Sequence, residues 1–263
     1  MNTNLTRSEA MSLRGVQREF RTDDGSVVLY QGDCNEIMPQ LEDGSVDHVI
    51  ADPPYDQRTH ERARSLKNGG SDIAIDFSHL SNMQHVGEFL RISRRWVIAF
   101  CALEQLGEYK VAAGDAAWIR GGLWDRPDGT PQISGDRPGQ GGEGIAIMHA
   151  PRTKKRWNAG GKRGTWRCGV DRSAVDHPTC KPLKLMCELV ADFTEFGDLV
   201  ADFYMGSGTT GVACIQNGRR FFGIEKEPRY FDVAVSRIRE AIARTSLLEA
   251  APKITQRSFT EAT

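Results

Sequence analysis

The 263-residue sequence has no run of eighteen consecutive apolar residues, no Cys-x-x-Cys pair and almost no net charge. Each absence removes a class of protein. Without a long apolar run there is no candidate membrane span, and the opening MNTNLTRSEAMSLRG holds no apolar stretch of the secretory kind, so a cytoplasmic location is expected. The six cysteines, at 34, 101, 168, 180, 187 and 214, lack paired spacing, which argues against a redox couple or a zinc knuckle and leaves them as small core hydrophobes. His177 and Cys180, with Cys168 upstream, fall short of four closely spaced zinc ligands, so no metal is expected. A formal charge of -1 excludes a uniformly basic surface; any hold on a polyanion must come from a local patch. The Gly-Lys-Ser/Thr of a P-loop is also missing, which removes tight triphosphate binding.

What is present is alternation. VVLYQGD, VDHVIADPPY, WVIAFC, IAIMHA, DLVADFY and RRFFGIEKE read as buried strands, and MQHVGEFLRISRR, LEQLGEYKVAAG, PLKLMCELVADFT, TTGVACIQNG and YFDVAVSRIREAIART read as helices between them. Short apolar runs alternating with amphipathic stretches predict an α/β fold: a doubly wound, mostly parallel sheet covered on both faces, with ligands in the crevice beyond the carboxyl ends of its strands. The expected organisation is an N-terminal arm (1–26), one catalytic domain (27–245) with an embedded basic recognition segment at about 121–176, and a polar tail (246–263).

Two strand ends carry suggestive chemistry. LVADFYMGSGTTG is strand, tight Gly206-Ser207-Gly208 turn and helix, and the next strand ends at Glu225. Glycines let backbone approach a ligand closely, and an acid one strand over can accept hydrogen bonds from ribose hydroxyls, which is a nucleoside-binding pattern. The second is VIADPPY. Pro53 and Pro54 restrict the backbone after Asp52 and remove two N–H donors, so this loop offers only acceptors, the Asp52 carboxylate and the Pro53 carbonyl. Such a site suits a planar aromatic amine: two acceptors can pull adenine N6 toward tetrahedral geometry and free its delocalised lone pair. Tyr55 would then stack on the extruded base.

ADPPY (51–55) preceding DFYMGSGTT (202–210), with QGDC (31–34) before both and HPTCKPLKLMCELV (177–190) between, resembles the S-adenosylmethionine-dependent DNA amino-methyltransferases in the permuted order called the β class. The resemblance spans roughly residues 27 to 240. It implies a catalytic loop of Asp52, Pro53, Pro54 and Tyr55. It implies a Rossmann-like methyltransferase fold with a seven-stranded sheet, and a cofactor cradle of Asp52, Asp202, Phe203, Tyr204, Gly206, Ser207, Gly208, Thr209 and Thr210, with Glu225 on the ribose, Asp33 and neighbouring Cys34 at the adenine, and Thr179 with Lys181 at the methionine carboxylate. A cation beside a helix N-terminus suits that carboxylate on physical grounds too. One letter departs: Tyr204 stands where the family usually has Phe, so a phenol replaces a phenyl ring. Within the family Asp-Pro-Pro-Tyr goes mainly with adenine N6 and Ser-Pro-Pro-Tyr with cytosine N4, so the resemblance implies adenine-N6 methylation of duplex DNA, with cytosine N4 as the alternative. It also implies a bacterial or phage-encoded protein, often a homodimer, of the kind found in restriction-modification.

Residues 151–172 hold eight Lys/Arg against one Asp. Lys154, Lys155, Arg156, Lys162, Arg163 and Arg167 interleave with Trp157 and Trp166 there, and positive charge neutralises phosphates while arginine often reads base edges. Arg58, Arg62 and Arg64, just after the catalytic loop, are candidates to hold the strand carrying the flipped base. No cysteine lies in the catalytic motif, so a covalent route to carbon-5 of cytosine is excluded and catalysis rests on acceptors and positioning.

Overall fold

The computed structural model describes residues 13–54, 83–129, 133–170 and 180–250, with side chains up to 245. Its strands in chain order are β1 (Arg18–Arg21), β2 (Val27–Gln31), β3 (His48–Ala51), β4 (Trp96–Cys101), β5 (Trp118–Asp125), β6 (Gly142–His149), β7 (Thr165–Arg167), β8 (Leu199–Asp202) and β9 (Arg220–Glu225). The α-helices are α1 (Cys34–Ile37), α2 (Gln84–Ile92), α3 (Leu106–Ala117), α4 (Leu183–Phe193), α5 (Thr209–Gln216) and α6 (Pro228–Ala250).

All the strands join one mixed sheet in the order β1-β2-β9-β8-β3-β4-β6-β5-β7. From β2 to β4 neighbouring strands are parallel. Strand β6 runs antiparallel to β4, β5 antiparallel to β6, and β7 parallel to β5. The pleat of β4 explains why both faces are covered. Trp96, Ile98 and Phe100 enter one apolar cluster with Leu185 and Leu189 of α4, Val212 of α5 and Phe231 of α6. Val97, Ala99 and Cys101 point the other way, into a cluster with Ile37 of α1, Phe89 of α2 and Tyr109 of α3. A strand buried on both faces reads as a continuous apolar run because successive side chains must satisfy opposite cores. Helix α4 follows the complementary rule: Leu185, Met186, Leu189, Val190 and Phe193 recur at helical spacing and are all buried.

Nine strands stand among the described residues where seven were expected, and the differences are instructive. Strand β1 lies in the stretch read as an arm; it zips antiparallel onto β2, with Arg18 opposite Gln31. Strand β5 runs into, and β7 lies within, the embedded segment expected at about 121–176; β5 pairs along the length of β6 and β7 pairs with β5. Arg120-Gly121-Gly122 interrupts the apolar run of β5 and hides it from a periodicity reading. The interruption has a packing cause, since a Cβ on Gly122 would stand 2.9 Å from the Trp166 ring and 3.1 Å from Ile147. Trp166 is fully buried and donates its ring N–H to Asp192 at 2.8 Å, so it is a core residue rather than part of an exposed basic patch. Helix α6 continues to Ala250, past the expected domain boundary at 245.

Parallel pairing from β2 to β4 also sets the site. Asp33, Asp52, Asp202 and Glu225 all fall at or just beyond the carboxyl ends of parallel strands, and so at one edge of the sheet. The order in which strands are added reverses at the adjacent parallel strands β8 and β3: β8 leads through α5 to β9 on one side, whereas β3 leads to β4 on the other. Such a switch point opens a crevice.

Candidate active site

The glycine turn is held from three directions. Asp202, fully buried at the end of β8, accepts the Tyr204 N–H at 3.0 Å and the Thr210 hydroxyl at 2.6 Å. Burial, with the nearby Asp52 and Glu225 carboxylates adding to it, outweighs those bonds and pushes the Asp202 pKa up to about 7. Glu225, at the end of β9, accepts the Gly206 N–H at 2.8 Å through one oxygen and the Glu227 N–H at 2.8 Å through the other; burial raises its pKa despite both. From α6, Arg237 donates to the Ser207 carbonyl at 2.7 Å, the Ser207 hydroxyl at 2.8 Å and the Thr209 hydroxyl at 3.1 Å. Gly208 sits in left-handed conformation, φ 79°, and caps α5 without a side chain. Its missing Cβ lets the turn press on α6: a Cβ there would meet Ala234 Cβ at 2.9 Å and Cα at 3.1 Å.

Asp33 forms the cap of α1, accepting the Asn35 N–H at 2.9 Å, with Lys226 at 3.2 Å from its other oxygen. Burial acts to raise its pKa, but those two partners outweigh it and hold the carboxyl below its ordinary range. Cys34 follows, buried, its thiol pushed up to about 12 by desolvation. The Tyr204 hydroxyl is buried near Cys34 with no nitrogen or oxygen partner among the described residues, and burial raises its pKa well above the usual phenol range. Phe203, by contrast, belongs to the core, stacked on Phe89 with ring centres 5.5 Å apart.

Asp52, Pro53 and Pro54 leave β3 one strand away from the turn, with Pro53 buried. The Asp52 carboxylate does not stand alone: Lys181 Nζ lies 2.6 Å from it and 3.2 Å from Glu143 at the start of β6. Glu143 also accepts from Arg126 at 3.0 Å. The Lys181 ammonium lies over the faces of Phe100 and Trp124, 5.0 and 5.8 Å from the ring centres. Burial works against its charge, but Asp52 and Glu143 more than offset this and its pKa rises. The sequence reading found Lys181 but missed Glu143, Arg126, Phe100, Trp124 and Arg237. The one available signal was an acid, Glu143, at the head of an otherwise apolar strand.

The basic residues divide. Strand β6 runs antiparallel to β4, so His149 lies opposite Trp96, at the sheet edge remote from Asp52. Lys154, Lys155, Arg156 and Trp157 follow at that remote edge: Thr153 bonds the Arg94 carbonyl, Trp96 bonds the Arg156 carbonyl, and Arg156 pairs with Glu195 at 2.6 Å. Trp157 packs edge-on against Phe193 with ring centres 4.9 Å apart. Lys162 is engaged by Glu188 and Asp192 on α4. Arg163 is exposed below β7, whereas Arg167, opposite Asp125 in register and 73% exposed, reaches the Asp52 edge. Tyr55, Arg58, Arg62, Arg64 and Thr179 lie outside the described residues.

Comparison with known proteins finds DNA methyltransferases. Residues 123–236 match the model of a DNA methylase family. The chain is 26% identical over 258 residues to the Type II methyltransferase M2.MboI of Moraxella bovis, an alignment covering 86% of this chain and 92% of that protein. Its fold matches the crystal structure of the M1.HpyAVI–SAM complex with a TM-score of 0.63 at 23% identity, over 81% of this chain and 98% of that one. It also matches the cytosine-N4-specific PvuII DNA methyltransferase with a TM-score of 0.60 at 15% identity, over 87% and 95%. The family match spans residues 123–236, the part of the chain that holds the glycine turn, Lys181, Asp202 and Glu225.

Proposed function

We propose that this chain is a site-specific DNA adenine-N6 methyltransferase that uses S-adenosylmethionine and acts on an adenine flipped out of duplex DNA. The observation that carries the reading is the Asp52 carboxylate, followed by two prolines, one strand from a glycine turn built of buried acids. The donor suits that cradle. Asp33, Asp202 and Glu225 bring three carboxylates to the carboxyl ends of adjoining strands, where they can balance a cationic ligand. When bound, S-adenosylmethionine supplies a methyl group on a positively charged sulfur. Asp52 and the Pro53 carbonyl accept the two amine hydrogens, drawing the N6 lone pair out of the ring, and the Asp52 carboxylate can take the proton released on methylation and pass it to solvent. Tyr55 stacks on the flipped base.

Expression in a host without DNA methylation, followed by sequencing of its genome for modified bases, tests the reading. Methylated adenine in one fixed context is the expected result. N4-methylcytosine moves the assignment to the alternative on the same scaffold, and an unmodified genome overturns both. Duplex DNA outcompeting RNA in the same assay separates DNA from RNA methylation. The resemblance also implies a homodimer, which sedimentation velocity checks. Among the described residues no helix is long and apolar enough to cross a membrane.

Asp202 gives this reading a signed pH dependence. A carboxyl with a folded pKa of about 7 against an ordinary value of 3.8 holds its proton more tightly in the fold, so its ionisation opposes folding. The contribution is fully favourable below the unfolded value and is lost as pH rises toward 7, by on the order of a few kcal/mol. An asparagine can keep both contacts, its carbonyl accepting from Tyr204 N–H and its amide donating to Thr210. Asp202→Asn is therefore expected to be at least as stable as the parent at pH 8 in urea, with a flatter stability profile between pH 5 and 8. It binds S-adenosylmethionine more weakly, because a neutral amide no longer balances the donor's charge.

The DNA surface belongs at the Asp52 edge, with Arg167 and the exposed Arg137 of the β5–β6 connection. Charge reversal at Arg167 is expected to weaken DNA binding severalfold and to lower the salt slope by about one. Reversal of Lys154 and Lys155 together leaves both within about twofold, as fluorescence anisotropy across a salt series reads directly.

A further inference from the structure

Lys181 is buried between two carboxylates and two aromatic faces, an arrangement that serves Asp52 more directly than a ligand's carboxylate. Its ammonium lies 2.6 Å from Asp52 and 3.2 Å from Glu143, with only 11% of its side chain exposed. Phe100 and Trp124 lie beneath it. Glu143 is itself 13% exposed and held by Arg126 at 3.0 Å. An acceptor that shares a cation with a competitor keeps more of its electron density than one that owns the cation alone. We propose that Glu143 is a positioning residue that draws the Lys181 charge partly away from Asp52, so that Asp52 stays a strong acceptor for the substrate amine, and that Lys181 orients Asp52 instead of holding the methyl donor's carboxylate.

The physical logic follows the chain of contacts. Arg126 fixes Glu143, Glu143 and the two rings fix Lys181, and Lys181 fixes the Asp52 oxygen nearest to it. Loss of the Glu143 charge leaves Lys181 with Asp52, which tightens that pair and weakens the pull of Asp52 on the amine. Loss of Lys181 frees Asp52 to turn and sets its carboxylate against Glu143, which disorders the acceptor. Both changes act on the reacting group, so both belong in kcat. Neither touches the Gly206–Thr210 turn, Asp33 or Glu225, where the donor is read to bind.

The inference rests on the methyltransferase reading, and one set of measurements separates the two. The full chain, S-adenosylmethionine and duplex DNA carrying the mapped target are used to measure kcat, the donor's KM and, by calorimetry, its Kd. Glu143→Gln is expected to lower kcat about ten- to a hundredfold with the donor's Kd unchanged within about twofold. Glu143→Asp, which keeps the charge and withdraws the carboxylate by one methylene, gives a smaller loss of kcat and carries the test if the glutamine variant does not fold. Lys181→Met is expected to lower kcat with the same unchanged donor Kd. An unchanged kcat in the Glu143 variants, or a tenfold rise in the donor's Kd with Lys181→Met, overturns the inference while leaving the enzyme reading in place. A parent chain that binds no donor and methylates neither adenine nor cytosine overturns the enzyme reading, and this inference with it.

Discussion

Asp52→Ala is expected to lower the rate of methyl transfer by about a thousandfold or more while S-adenosylmethionine and DNA still bind. The size follows from what the residue supplies. An exocyclic amine is a poor nucleophile as long as its lone pair is spread into the ring, and the loop after β3 offers acceptors in place of N–H donors because Pro53 and Pro54 have none. Binding should survive because the glycine turn draws its bonds from Asp202, Glu225 and Arg237. The fold should survive as well. Removing one partner of a buried ion pair costs roughly 3–5 kcal/mol when the remaining charge is abandoned, but here Lys181 keeps Glu143 at 3.2 Å. Single-turnover assays with labelled donor, alongside calorimetry and DNA anisotropy on the same protein, check all three parts. Turnover within tenfold of the parent would remove Asp52 from the chemistry, and retained DNA binding without turnover would dispose of a purely regulatory role for the parent chain.

Gly208→Ala is expected to cost about 3 kcal/mol of folding stability. Two penalties act together. A left-handed φ of 79° costs an alanine roughly 1–2 kcal/mol. The new Cβ also presses on Ala234 at 2.9 Å from its Cβ and 3.1 Å from its Cα, and the second atom belongs to a helix backbone that cannot swing aside. Gly25→Ala is the control, since its φ is 69° but no atom lies within 4 Å of the added Cβ. It should lose only the conformational share, about 1–2 kcal/mol. Urea denaturation of both variants separates strain from collision by subtraction. Equal losses would show that α6 yields to the turn and that the contact between Gly208 and Ala234 carries little.

How much of this was legible in advance follows the range of the forces involved. The strand WVIAFC announces burial on both sides because each of its residues must satisfy one of two cores, and the structure delivers them to opposite clusters. Strand β5 could not be read that way. Its Gly122 makes room for a tryptophan more than forty residues further on, a contact between positions that no local periodicity records. Basic charge misled in a related manner. Lys154, Lys155 and Arg156 stand in the basic stretch expected to meet DNA, yet the antiparallel course of β6 carries them to the far edge of the sheet, and Lys162 and Trp166 turn inward to α4.

By itself the sequence determined which chemical groups end each strand: two prolines after an acid, a glycine turn after another, a third acid closing the next strand. Those are local facts, set by what a few consecutive residues can and cannot do with their backbone. Only the tertiary structure decided that Glu143 and Arg126 join Lys181 at Asp52 and that Arg237 closes over the glycine turn, because charge and packing act across space and strand order alone brings those distant residues together.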